Sequence, residues 1–262
     1  MKSLIVIAVC VGAFIAAPLF IVVPMSFSNA PSFQFPPPGY WLGYYEQYFT
    51  DYHWTIPTAN SFIIATATML LTMALVVPAA FGLARNRFFG RSLVNYLIMA
   101  PLMVPHIVVA LAYYLFFGPL HLTGTHLGVI LAHTCLSVPV AFLIVTATLK
   151  GFDRNLERAA MSLGAGPMAT FFYVTLPVLR PGFLVGALFA FLHSFDETTV
   201  AIFIAGGTAA TLPRKMFEAI RLESDPVIAV VSTLLLGLVL AGTVISVFVR
   251  QRNEKKATMY AD

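Results

Sequence analysis

The sequence predicts an all-α, polytopic membrane protein with six transmembrane helices, and three observations lead to it. Of 262 residues, 59% are hydrophobic and only 10% are charged, against about 25% charged in ordinary soluble domains. The mean hydropathy of +0.87 implies more apolar surface than one compact core could bury. The apolar residues also gather into runs of about 20, the length a helix needs to cross the hydrocarbon core. A soluble enzyme, a disordered tail and a secreted disulfide scaffold are poor readings of such a chain.

Six runs qualify: Leu4 to Met25, Thr58 to Ala84, Leu93 to Phe117, Leu127 to Leu149, Phe183 to Ala205, and Val227 to Val249. The only formal charges within them are Asp196 and Glu197. Backbone satisfaction in lipid then leaves helices, because a β-barrel strand alternates its faces and the run Leu234 to Leu240 is apolar on every face. The first run follows Lys2 and precedes Ser28-Asn29-Ala30, a loose likeness to a signal peptide. It is longer than the roughly 7 to 15 residues of a signal h-region, so it reads as a retained anchor.

Basic residues set the orientation. With a cytoplasmic N-terminus, the inner segments hold Lys2, Arg85, Arg87, Arg91, Lys150, Arg154, Arg158, Arg180, Arg250, Arg252, Lys255 and Lys256. The outer segments hold only Arg214, Lys215 and Arg221, so both termini are expected in the cytoplasm. The net charge of +4 is spread through these loops rather than gathered in a patch, which argues against a nucleic-acid partner. Cys10 and Cys135 lie in apolar runs and imply neither a disulfide nor a metal site. The chain divides into residues 1–57, the first helix with an outer loop; residues 58–250, the permeation core with an inner loop at 150–182; and a short basic tail, 251–262. The outer loop is crowded with aromatics, from Tyr40 and Trp41 to Tyr52 and Trp54, and reads as an interfacial lid or short helix.

The inner loop carries the most information. From Gly151 to Pro167 its apolar positions Leu156, Ala159, Ala160 and Leu163 recur at i, i+3, i+4 and i+7, which predicts a two-turn amphipathic helix. Asp153 or Asn155 is a candidate cap, and Gly164 and Gly166 stop the helix. The stripe has little of the Lys and Arg flank of a lipid-bound helix, so docking into a partner protein is at least as good a reading.

Ala159-Ala160, Gly164 and then Val174-Thr175-Leu176-Pro177 resemble the EAA loop of permease subunits in binding-protein-dependent ATP-binding-cassette importers. The family pattern has Glu directly before the two alanines, where this chain has Arg158, with Glu157 one place earlier. The resemblance runs from Asn60-Ser61-Phe62 to Val249. Within the family, Ser194-Phe195-Asp196-Glu197, Thr211-Leu212-Pro213 and Ile220 look most like the PotC-type permeases of polyamine importers, a branch that also serves opines and aminophosphonates. It implies a type I (MetI-like) arrangement with a cytoplasmic coupling helix, in the bacterial inner membrane. Leu156, Glu157, Arg158, Ala159, Ala160, Leu163, Gly164 and Pro177 would then couple to an ATPase. The implied partners are a second permease subunit, two ATPase subunits and a solute-binding protein. The chain has no phosphate-cradling G-x-x-x-x-G-K-[ST] loop, so ATP and Mg are expected to be used by the partner, and no cofactor or metal is expected here.

Asp196 and Glu197 are costly within a membrane span, at about 2.5 to 3.5 kcal/mol each on insertion scales, and should face protein or a wet cavity. On a helix running outward from Phe183, Asp196 would lie roughly 20 Å in. Consecutive side chains diverge by about 100°, so one carboxylate can line a path while the other clamps a neighbouring helix. His193, three and four residues earlier, would share their face, and Thr198 and Thr199 extend the polar band. His106 and His133 lie on other spans, so no metal ligand set forms at helical spacing. Ser194 beside His193 lacks the geometry of a nucleophile pair. Pro101, Pro105 and Pro139 should bend or unwind spans three and four. The leading function is a non-catalytic permease half for a polyamine-like solute; the rival is a proton-coupled secondary transporter working through His193, Asp196 and Glu197, which would normally show an internal repeat that this chain lacks.

Overall fold

The computed structural model describes residues 2–223 and 225–259. Within these residues twelve α-helices follow one another: α1 (Lys2–Ser26), α2 (Gly43–Thr50), α3 (Tyr52–Arg85), α4 (Arg91–Met99), α5 (His106–Phe117), α6 (His126–Lys150), α7 (Asn155–Ser162), α8 (Pro167–Thr170), α9 (Leu176–Phe195), α10 (Thr199–Ile204), α11 (Leu212–Glu218) and α12 (Val227–Met259). Among the described residues there is no β-sheet, only one isolated bridge between Ser28 and Tyr40. Among the described residues, five helical segments are long and apolar enough to cross a membrane, or six if the bent pair α4 and α5 counts as one.

The backbone forms two compact units. The first joins residues 1–55 to 216–262, with α1 packed along α12 and α2 against α12. Its aromatic loop is structured, as the sequence predicts: α2 is the short helix, Tyr45 Oη lies 2.9 Å from Ser26 Oγ, and Tyr44 Oη donates to the Ala30 carbonyl. Trp54 is fully buried and its indole N–H donates to Asp225 Oδ2 at 3.2 Å. α12 starts at Val227 as predicted and continues into the expected basic tail. Residues 260–262 of that tail, and the side chains from Val249 onward, lie outside the described residues.

The second unit, residues 56–215, is built around α6. Its buried positions, including Val129, Ala132, His133, Leu136, Phe142 and Val145, recur every three or four residues, as a helix enclosed by neighbours requires. α6 packs most extensively on α9. A Cβ at Gly182 would collide with the Thr148 side chain, and one at Gly186 would press on Val145, so these glycines let the two helices approach closely.

Three spans depart from their predicted bounds. The third is broken: Arg91–Met103 lies at 101° to His106–Phe117, with the break at Val104 and Pro105. The prolines predict this bend, since Pro105 cannot donate and Val104 before it is extended. Pro139, by contrast, leaves α6 unbroken and is buried among its neighbours. The fifth span runs from Pro167 through a π-turn at Phe171–Thr175 to Phe195, not from Phe183 to Ala205. The wide turn admits Pro177 into a continuous helix, and Arg180 and the prolines made this stretch resemble loop. Residues 167–182 of the predicted inner loop are therefore helical. The second span is longer than predicted, beginning at Tyr52.

Candidate functional site

Asp196 and Glu197 lie at the interruption between α9 and α10, not within a helix. Asp196 is the C-cap of α9, its N–H donating to the Leu192 carbonyl at 3.0 Å. Asp and Thr are poor interior helix formers because they compete for backbone groups. Glu197 instead supplies what a new helix start lacks: its Oε1 accepts from the Val200 N–H at 2.9 Å, satisfying one of the free amides of α10. The helix ends at Phe195, yet His193 stays close enough to both carboxylates to interact with their charge.

The two carboxylates occupy unlike environments. Glu197 is buried, and its Oε2 lies 3.5 Å from His106 Nδ1. Asp196 is exposed, with no side-chain hydrogen bond or ion pair among the described residues. Thr198 Oγ1 donates to the Asp196 carbonyl at 3.3 Å, and Thr199 opens α10 half-buried.

Three histidines that the sequence scatters over different spans converge near this break. His193 stands edge-on to His106 at 6.4 Å between ring centres, and its Nδ1 lies 3.3 Å from Ser137 Oγ. His133 is buried, with Nδ1 2.9 Å from Ser194 Oγ. Ser194 thus holds a histidine from another helix, not the adjacent His193. No group of three or more His, Cys, Asp or Glu among the described residues is arranged to hold a metal. Sequence reasoning missed His106 as the Glu197 partner. The available signal was Pro105, which places His106 at the first turn after a break.

Beyond the break, α10 packs on α5, and the Gly124 N–H donates to the Ile204 carbonyl at 2.8 Å. The motif residues at the start of the second span fix the next segment. Asn60 Nδ2 donates to the carbonyls of Thr208 and Ala210, both at 2.9 Å, and Ser61 Oγ accepts from the Leu212 N–H at 2.8 Å. Phe62 packs on Phe195 with ring centres 5.1 Å apart.

At the opposite end of the unit, α7 is the predicted amphipathic helix. Arg154 occupies its N-cap position without a side-chain cap, while Asp153 Oδ1 accepts from the Asn155 N–H at 2.9 Å. The helix ends at Ser162, and Gly164 follows at φ +92°, a left-handed conformation that favours glycine. Leu156, Arg158, Ala159 and Leu163 are exposed, Leu163 at 89%, while Ala160 is half-buried. Glu157 turns the other way. Its Oε1 lies 2.6 Å from Arg85 Nη2 at the end of α3 and accepts a hydrogen bond from Thr175 in the π-turn. Burial pushes the Glu157 carboxyl up, but the Thr175 and Arg85 hydrogen bonds and the charges of Arg85 and Arg154 outweigh it and hold it below the usual carboxylate range. Pro177, exposed, begins α9 just beyond that turn.

α7 is thus anchored on one side, and its open side carries Leu156, Ala159 and Leu163 with Arg158. The whole chain resembles known transport proteins. The chain is 36% identical over 199 residues to the putrescine transport system permease protein PotI of Escherichia coli, covering 73% of this chain and 69% of that one. It is 27% identical over 245 residues to the spermidine/putrescine permease PotC of Haemophilus influenzae, covering 93% and 94%. It is 32% identical to the molybdate/tungstate permease WtpB of Pyrococcus abyssi, covering 66% and 70%. The crystal structure of a bacterial ABC transporter that imports the acidic polysaccharide alginate shares the fold, with a TM-score of 0.71 over 94% of this chain and 95% of that one at 16% identity. None of these supports the proton-coupled rival. Residues 76–258, from the second half of α3 to the end of α12, match the model of one family, so the chain belongs to the binding-protein-dependent transport system inner membrane components, as a multi-pass permease subunit of an ABC importer.

Proposed function

We propose that the chain forms half of the translocation path of an ATP-driven importer for a polyamine-like cation, with both termini in the cytoplasm. Exposed Asp196 carries this reading. It is an unpaired carboxylate at the end of a membrane span, and an anionic group in such a place attracts cationic solute without trapping it. The names of PotI and PotC favour putrescine or spermidine, and WtpB keeps an oxyanion in view. Buried Glu197 serves as the clamp, tying the start of α10 to His106, while His193, Thr198 and Thr199 border the path.

The open face of α7, with Leu156, Arg158, Ala159, Ala160, Leu163 and Gly164, receives the ATPase, and Glu157 and Pro177 position that face. ATP and Mg are handled by the two ATPase subunits, and a second permease and a solute-binding protein complete the machine. The test is uptake by the reconstituted complex. Asp196→Asn should raise the KM for putrescine or spermidine in a normally assembled transporter, whereas Glu197→Gln should lower thermal stability. Unchanged polyamine uptake in assembled Asp196→Asn, or uptake of molybdate in place of polyamine, would overturn the cation path.

A further inference from the structure

At the end of the second unit that carries α7, helices α3, α4 and α6 leave a cavity of about 560 Å³ that the transport mechanism does not use. Its polar lining is Arg91, Ser92, Asn95 and Tyr96 from α4, and Thr146 and Lys150 from α6. No carboxylate lines it. Neither Arg91 nor Lys150 makes an ion pair or side-chain hydrogen bond among the described residues. Thr146 Oγ1 is buried and likewise has no partner among them. The cavity also receives the start of α4, which follows Gly90 at φ +85° and has no side-chain cap. Two free cations beside a helix start without a side-chain cap call for the same thing, a compact oxyanion.

The setting distinguishes which oxyanion. Lys150 closes α6, whose 25 residues are long enough to cross the bilayer, and Arg91 opens α4 beside that end, so the cavity lies at the level where α6 leaves the hydrocarbon core. Leu93 and Leu97 of α4 are more than 60% exposed, and Phe89 just before it is fully exposed. A polar cavity at headgroup depth beside bare apolar side chains fits a phosphate that carries acyl chains. The same two cations repel a polyamine, which places the cavity off the proposed solute path.

We infer that this cavity binds the phosphate headgroup of an anionic phospholipid, with Arg91 and Lys150 as its charge partners. The assembled transporter is reconstituted in nanodiscs of phosphatidylcholine with or without phosphatidylglycerol, and retained lipid is counted by native mass spectrometry alongside thermal unfolding. Phosphatidylglycerol should be retained and should raise the unfolding temperature. Lys150→Gln should cut retention about fivefold, and Arg91→Gln with Lys150→Gln by about 25-fold, from the roughly fivefold weight of each basic residue near a lipid surface. Arg91→Lys with Lys150→Arg should keep it. Lys150→Gln lies at an exposed helix end, so it answers the question even where the double variant fails to assemble. Equal loss on Arg87→Gln, which does not line the cavity, would show surface charge alone and overturn the site. Millimolar inorganic phosphate in neutral discs separates the sources: stabilisation by phosphate with none by phosphatidylglycerol would overturn the lipid assignment.

Discussion

Replacing Glu157 tests the proposed role of α7 in coupling to an ATPase. The side chain is the strut between the helix and the membrane body: Arg85 reaches it from the end of α3 and Thr175 from the π-turn that leads into α9. The Arg85 pair is partly exposed and contributes at most about 1 kcal/mol. The Thr175 hydrogen bond to an ionised acceptor in a half-buried setting adds about 1.5 kcal/mol. Glu157→Ala should therefore loosen α7 by about 2 kcal/mol, and Glu157→Gln, which keeps an acceptor, by about 1 kcal/mol. Since about 1.4 kcal/mol is a factor of ten, amide exchange across residues 156–163 should speed up about 30-fold in Glu157→Ala and about fivefold in Glu157→Gln, while α6 keeps its protection. In the assembled transporter the same variants should hydrolyse more ATP per solute moved. Unchanged exchange in Glu157→Ala would refute the strut, and unchanged coupling with faster exchange would refute its mechanical role.

Because the Glu157 carboxyl titrates below its ordinary value of about 4.3 in the folded chain, its contribution is fully present above that value and is lost as pH falls through the lower folded value. Exchange protection of α7 should be flat from pH 8 to about pH 5 and drop only in more acidic solution, a dependence that Glu157→Gln should abolish. At Gly164, with φ +92° and open space around it, Gly164→Val should cost about 1 to 2 kcal/mol of backbone strain and uncouple transport from hydrolysis. Gly164→Asn should be tolerated; equal effects of the two would deny the conformational cause. Between α6 and α9, Gly182→Ala drives a methyl into Thr148 and should cost about 1 to 3 kcal/mol in thermal unfolding, with Thr148→Ala recovering part of the loss.

What the sequence revealed and what it hid divide on physical lines. α1, α6 and the start of α12 are uninterrupted apolar runs, and their bounds follow from length alone. The α7 stripe and the Gly164 stop follow from a 3.6-residue period and the need for a positive φ. The fifth span was misplaced because hydropathy weighs Arg180 and three prolines against it, whereas a π-turn absorbs Pro177 and the end of the helix depends on local capping by Glu197. The His106 to Glu197 pairing joins residues 91 positions apart in sequence, a tertiary fact with no periodic trace.

Most of the residues that carry the family resemblance are committed to the scaffold, and Asp196 is the exception. Asn60 and Ser61 spend their hydrogen-bonding groups on the backbone at Thr208, Ala210 and Leu212, and Leu212 of the Thr211-Leu212-Pro213 motif is fully buried. Such groups are committed to the fold, since an unpaired buried amide or hydroxyl costs about 1 to 3 kcal/mol. They specify a permease and say little about its cargo. Asp196 lies one residue before the buried clamp, and its carboxylate makes no hydrogen bond or ion pair among the described residues. Changing that side chain disturbs no hydrogen bond of the scaffold, so the charge at position 196 can be retuned without rebuilding the break. If Asp196 borders the path as proposed, solute preference can diverge among chains that share the whole architecture, because its charge is not tied into the scaffold.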